Sequence, residues 1–222
     1  SVVQRIEWST SRLGFVTPVA VIEPLFLSGA LITNVTLHNA EHVRAYDLKA
    51  GDRIEIVRSG EVIPKFLQVV EAAPGNHIFP GQCPICSTAL EFDDVRLKCP
   101  NAEGCQAQQM LGILNWIRAA EIDDLSEKRL ENLMDFNLVR VPADLYGLSR
   151  EDFLKLPLTK EKMAEKLYQN IQKSRDLPLP RFLLGLGIES GGMTTWEKLL
   201  DTFSTLEALT AASEDEIAKI DG

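Results

Sequence analysis

The residues of this chain best suited to chemistry are its cysteines. Cys83-Pro-Ile-Cys86, Cys99 and Cys105 are all four of them, and they fall between residues 83 and 105. A two-residue gap lets both sulfurs of the first pair face one ion while backbone amides stabilise the thiolates. The intervening "ALEFDDVRLKC" reads as a small hairpin, and Cys99 and Cys105 supply a second, wider pair. Four thiolates with no vacant position make a structural Zn2+ site rather than a catalytic one. An iron–sulfur centre is the alternative. Reduced core cysteines fit poorly, because the segment offers little apolar material to bury them. Clustering also favours metal in a reducing cytosol over a disulfide scaffold, which would spread its cysteines. The ion would fold a segment too small for its own core.

A second pattern is the terminal "KIDG", residues 219–222. Lys-x-Asp-Gly surrounds the lysine that takes AMP in nucleotidyltransferases, so Lys219 is a formal candidate nucleophile. The histidines, His38, His42 and His77, have no patterned partners. His38 is expected in a barrel near a helix start, the other two on the surface. Neither a Ser-His-Asp order nor a phosphate-loop signature occurs. "LGLGIESGG" is the best place for backbone amides to meet phosphate, through Gly185, Gly187, Gly191 and Gly192. Glycine used only for close helix packing is the other reading. "IDDLSEK" and "LPLTKEK" lack glycine at the turn, and other residues resist positive φ there. With Asp123 and Asp124 repelling phosphate, these two hairpins are expected to be structural.

These residues need elements to position them. Residues 1–75 read as a small β domain: "RIEW", "FVTPVAVI", "ALITNVTL", "DRIEIV" and "VIPKFLQVVEA" are short, β-branched and separated by turn residues. One helix, "HNAEHVRAYDL", is expected between the third and fourth strands, with Asn39 as N-cap and Val43 and Tyr46 on one face. That order suggests an OB-type Greek-key barrel, with an SH3-like barrel as the competitor. Residues 76–106 form the cysteine segment, and residues 107–222 turn helical. Helices are expected at 105–119, 127–136, 160–174, 179–185, 192–203 and 213–219, from apolar residues three and four apart. "VRVPADLYGLS" and "SRDLPLPR" read as connections. Leu125, Leu158, Ile188 and Ile220 recur about every 30 residues, as paired helices with tight turns would require; a plain bundle is the alternative. The fold class is therefore multidomain α+β.

Composition is that of a soluble globular protein, 45% hydrophobic and 25% charged. No apolar run approaches the ~18 residues of a membrane helix, and "SVVQRIEW" lacks signal-peptide layout. The chain reads as though cut from something longer. The formal charge of -9 is uneven: residues 119–222 hold 13 basic and 20 acidic side chains, while residues 1–80 hold 7 and 8. An acidic total argues against nucleic acid as partner unless the contact is local.

The assembled stretches resemble the bacterial NAD-dependent DNA ligases over essentially the whole chain. "SRLGFVTPVAVIEP" is similar to the family's Gly-Arg-Thr-Gly…Thr-Pro-Val-Ala stretch, with Ser11 standing for glycine and Leu13 for threonine. "TLHNAEHVRAYDLKAGDRIEIVRSGEVIPKF" is similar to its Thr-Leu-His-Asn segment and the strands that follow. "CPIC…CPNAEGCQAQ" resembles its zinc module; "VPADLYGLSREDFLKL" and "RFLLGLGIESGGMTT" resemble its helix-hairpin-helix region.

The resemblance implies three parts: an OB-fold domain at 1–75, a four-cysteine zinc finger at 76–106, and a helix-hairpin-helix domain at 107–222 with its last hairpin cut short. It implies a DNA contact at Arg12; Arg58 and Lys65, flanking "SGEVIP", are lesser candidates, with a solvated barrel rim as the alternative, and Gly187, Gly191 and Gly192 are the candidate backbone contacts. In the family an upstream domain carries a lysine that attacks NAD, and the AMP is passed to a nick's 5′-phosphate before the 3′-hydroxyl displaces it. That domain is not in this chain, which resembles the part that helps encircle DNA. NAD and Mg2+ would serve the intact enzyme mainly outside this stretch. The implied partner is nicked double-stranded DNA, with no membrane; the implied state is a monomer and the location cytoplasmic. "EDEIAKIDG" then aligns with a hairpin turn, which makes the Lys219 motif a coincidence, and no catalytic residue is expected here. Glu189 stands where the family often has a basic residue. A free-standing nucleic-acid-binding adaptor, or a helical protein-interaction scaffold, would reuse the same parts.

Overall fold

A computed structural model describes residues 1–220 apart from 28 and 60–62. Part of the "SGEVIP" stretch and the last two residues of "KIDG" therefore lie outside the described residues. The chain is a mixed α+β protein of two compact units, Ser1–Gln108 and Gln109–Gly222.

The first unit is built on five strands, β1 (Val3–Thr10), β2 (Phe15–Leu27), β3 (Ala30–Thr36), β4 (Arg53–Ser59) and β5 (Ile63–Glu71). Short β-branched runs with period-2 burial make them: in β2, Val16, Pro18, Ala20 and Ile22 all point inward. β1 pairs antiparallel with β2, β2 with β3, and β4 with β5. β3 lies parallel to β5 at Thr36 and Lys65, and Val2 bridges Arg53, so β1 meets β4 and the ring closes. This 1-2-3-5-4-1 circuit encloses Val3, Ala20, Ile22, Val35, Leu37, Val43, Leu48, Ile54 and Phe66.

Helix α1 (Ala40–Ala45) sits between β3 and β4, and Asn39 Oδ1 accepts from the His42 N–H at 2.8 Å. Val43 is fully buried. Tyr46, expected on the same face, is instead 43% exposed, a helix-end residue whose ring packs on His42 and Phe66. His38 stands near the helix start as expected, next to the N-cap Asn39, and is exposed, at φ 63°. His77 is not a bare surface residue: its ring Nδ1 lies 2.7 Å from Asp47 Oδ1.

The cysteine segment joins the same sheet. Two three-residue strands, β6 (Glu91–Asp93) and β7 (Arg96–Lys98), form the hairpin that spacing predicted. Beyond that expectation, β7 adds to β2 through Phe15–Lys98 and Val16–Leu97.

The second unit is helical: α2 (Gln106–Ala119, beginning in the first unit), α3 (Glu127–Asp135), α4 (Arg150–Leu154), α5 (Glu161–Lys173), α6 (Leu179–Leu186), α7 (Met193–Thr202), α8 (Leu206–Ala211) and α9 (Glu214–Ile217). Its core gathers Ile113, Leu130, Leu133, Leu145, Phe153, Leu167 and Ile171. Within "VRVPADLYGLS", expected as a connection, Pro142–Gly147 is a 3-10 helix started by Asp144, which accepts from the N–H groups of Arg140 and Val141. α4 is a single turn capped reciprocally by Ser149 and Asp152. Both are shorter than an apolar period can reveal.

The hairpin turns correct one expectation. Asp124, Leu158 and Ser190 all adopt positive φ, at 64°, 58° and 63°. The turn backbone is thus left-handed without glycine. Asp tolerates this region, whereas a leucine there costs roughly 1–2 kcal/mol. Of the glycines in this unit, Gly187 is left-handed, at φ 69°, ending α6. Gly191 is there for space, since a Cβ would collide with the Trp196 ring, and the Trp196 indole N–H donates to Gly191 O at 2.9 Å.

Candidate functional site

The Cys83-Pro-Ile-Cys86 knuckle closes when Ser87, at φ 58°, returns its N–H to Cys83 O while the Cys83 N–H donates to Thr88 O. The second half is a loop from β7, with the Cys105 N–H on Asn101 O, leading directly into α2. These two local structures bring the four sulfurs within 4.8 Å of one another. Cys83 and Cys105 Sγ are 3.9 Å apart, Cys86 and Cys99 Sγ 3.5 Å. Ligands ~2.3 Å from a tetrahedral zinc have sulfur edges of about 3.8 Å. The donor set fits that ion in number, chemistry and spacing.

The Cys86 pKa is brought down to about 6 by the Thr88 hydroxyl and then by the Thr88 N–H. Burial opposes ionisation of Cys83, but the Thr10 hydroxyl and the N–H groups of Cys86 and Ile85 bring it below the ordinary thiol value. Cys99 is pushed up to about 12 by burial, against the Asn101 N–H; burial also raises Cys105. Low dielectric prevents four neighbouring thiols from ionising together without a cation. With a divalent ion among them, all four can be thiolates.

Spacing located the four cysteines but not the residues that hold them. Thr10 Oγ1 lies 3.3 Å from Cys83 Sγ, and Thr88 Oγ1 lies 3.3 Å from Cys86 Sγ and 3.1 Å from Asn101 Nδ2. Gln108, only 6% exposed, donates from Nε2 to Cys99 O at 3.1 Å and Asn101 O at 3.4 Å. The signal for Gln108 was a polar residue on the inner face of the first turn of α2.

Arg12 stands half-buried in the turn between β1 and β2. This turn is closed by Ser11 N–H to Phe15 O at 2.8 Å and Gly14 N–H to Ser11 O at 3.0 Å. Lys65 is exposed on β5, and Arg58 lies on β4 opposite Pro64. Beside the turn, the Arg96 guanidinium stacks on the Phe15 ring, 3.6 Å from its centroid.

The segment after β5 is tied to the barrel. Ala73 N–H donates to buried Asp52 at 2.8 Å, and His77 N–H to Asp47 at 2.7 Å. Hydrogen bonds from the His77 backbone and ring, then Lys49, hold the Asp47 carboxyl well below the usual carboxylate range.

In the second unit, Gly187 ends α6 and Gly192 is the N-cap of α7, with no side-chain capping bond. Glu189 and Ser190 between them are exposed. Lys219 is exposed just past α9, remote in sequence from the barrel. Among the described residues, no helix is long and apolar enough to cross a membrane.

Comparisons with known proteins point the same way. Residues 1–77 match the NAD-dependent DNA ligase OB-fold domain family. A DNA ligase of Coprothermobacter proteolyticus is 41% identical over 223 aligned residues, which cover 98% of this chain and 33% of that protein. A DNA ligase of Chlorobium luteolum is 38% identical over 99% of this chain and 34% of its own length. The chain spans about one third of the length of these relatives. Residues 1–77 are thus similar to the OB-fold domain of NAD-dependent DNA ligases, and nearly the whole chain is similar to about one third of a DNA ligase.

Proposed function

We propose that this chain is the duplex-gripping portion of an NAD-dependent DNA ligase that seals 5′-phosphate/3′-hydroxyl nicks. The observation that carries this is similarity to DNA ligases along 98% of the chain, with barrel, four-sulfur cluster and helical hairpins following one another. Its parts are an OB domain at 1–75, a four-cysteine zinc module at 76–106 and helix-hairpin-helix repeats at 107–222. Nucleotidyl transfer, with its NAD and Mg2+, belongs to residues outside this chain, and the work belongs in the cytoplasm.

Zn2+ held by Cys83, Cys86, Cys99 and Cys105 would supply the bonds that fold their segment. Arg12 reaches a phosphate or groove edge from its turn, with Lys65 and Arg58 supporting it from β5 and β4. At the α6–α7 hairpin, Gly187 sets the turn and the uncapped N–H groups after Gly192 face phosphate. Backbone donors need no lysine, which is how an acidic chain can grip DNA. Residues 189–222, with 2 basic and 8 acidic side chains, keep that grip weak in the chain alone.

Fluorescence anisotropy with a nicked duplex tests the reading. Binding is expected at ~50 mM salt and about tenfold weaker or more at ~200 mM. Absence of binding at both, or affinity indifferent to salt, would overturn it. Tight, nick-selective binding would contradict the weak grip assigned to the acidic hairpin.

A further inference from the structure

We infer that the metal centre sets the shape of the Arg12 turn, with Gly14 and Gln108 as the positioning residues that connect them. The inference rests on the proposal that Arg12 faces the duplex. Metal occupancy then determines what Arg12 contributes to binding.

Both flanks of the turn are fastened to the sulfur loops. Before it, Thr10 Oγ1 sits 3.3 Å from Cys83 Sγ. After it, the Cys99 N–H donates to Gly14 O at 2.8 Å, and Phe15 and Val16 pair with Lys98 and Leu97. Two of the four sulfur-bearing residues therefore hold the two ends of one turn.

The contact is close enough to forbid a side chain. Gly14 has φ +83°, and a Cβ there would lie 2.6 Å from Cys99 O and 3.0 Å from Gln108 Oε1. Glycine is needed both for the backbone conformation and for the approach. Gln108 grips the other side of the loop, its amide shared between Cys99 O and Asn101 O. Buried carbonyls left unpartnered are costly, so this amide fixes where Cys99 O lies, and hence where Gly14 can lie. These contacts run through Thr10, Gly14 and Phe15, so the turn is shaped from its two flanks. By reciprocity, whatever binds the shaped turn must also retain the metal more tightly.

Hydrogen–deuterium exchange on the zinc-loaded chain tests this without DNA. Chelation should speed exchange of the Ser11 and Gly14 amides about tenfold or more, while β3 amides stay protected. Gln108→Met and Gly14→Ala should do the same with zinc still bound at one per chain. If chelation unfolds the whole unit, these loaded variants decide. Unchanged exchange at Ser11 and Gly14 in them overturns the inference. A separate arm measures duplex affinity. Arg12→Ala should weaken wild type about tenfold but add little in Gln108→Met, and nicked duplex should slow zinc release from wild type only. Turn amides that respond while Arg12→Ala leaves affinity unchanged would refute the role of Arg12 and leave the link from metal to turn standing.

Discussion

Replacing the turn residues of the three helical hairpins by glycine should give three different signs from one backbone conformation. Leu158 is the informative case. It sits at φ 58° and is 100% exposed, so Leu158→Gly loses no buried area. Relief of the left-handed strain is worth roughly 1–2 kcal/mol, and glycine's greater freedom in the unfolded chain takes back about 0.5–1 kcal/mol. The net is a stabilisation of about 0.5–1 kcal/mol, a rise of roughly 2–4 °C in Tm for a unit of this size. Asp124 has the same backbone, but its carboxylate meets Lys166 at 2.9 Å and accepts from Asn170 at 3.0 Å. Asp124→Gly should therefore destabilise by about 1 kcal/mol. Ser190→Gly should fall near zero. Urea titrations followed by circular dichroism would resolve the order Leu158, Ser190, Asp124. A loss of stability in Leu158→Gly would refute the reasoning, because it would mean that the side chain makes contacts or that the turn is not left-handed.

Removing the metal with a chelator should free four titratable thiols per chain and unfold the cysteine hairpin, read by thiol titration and elemental analysis; a loaded protein with all thiols freely reactive would contradict the site. Asp152 is held at about 2 by Lys155 and then by the Ser149 N–H, below its ordinary 3.8. A depressed carboxylate stabilises above its unfolded value and loses that contribution as pH falls from about 4 through 2. Asp152→Ala should cost ~1 kcal/mol at neutral pH and almost nothing near pH 2, as measured by urea unfolding at each pH. Gly191→Ala drives a methyl into Trp196 and should destabilise by about 1–3 kcal/mol, with a shift in indole fluorescence. Lys219→Ala in the longer ligase should leave formation of the covalent AMP adduct unaltered.

The barrel was legible because its strands are β-branched, alternate cleanly and end at turn residues, and because Asn39 caps the helix between them. The cysteine cluster was legible because a knuckle spacing is a local property. The joining of β7 to β2 was not, since three-residue strands carry no period and their partner lies about 80 residues earlier. Gln108 and Gly14 escaped for a related reason: their roles come from a tertiary approach between distant segments. Leu158 shows the opposite failure. Its residue type argues against the left-handed region, and the packing of α4 against α5 overrides that preference.

The way β7 lies on β2 also guards the sheet against pairing with another chain. The hairpin shields the Phe15–Val16 end of a long strand, and its own outer member is three residues long and carries Glu91 and Asp93. Such a rim is too brief and too charged to recruit another chain. Loosening of the cysteine hairpin would strip away that guard and bare hydrogen-bonding backbone beside buried Val16, so self-association is the expected first loss.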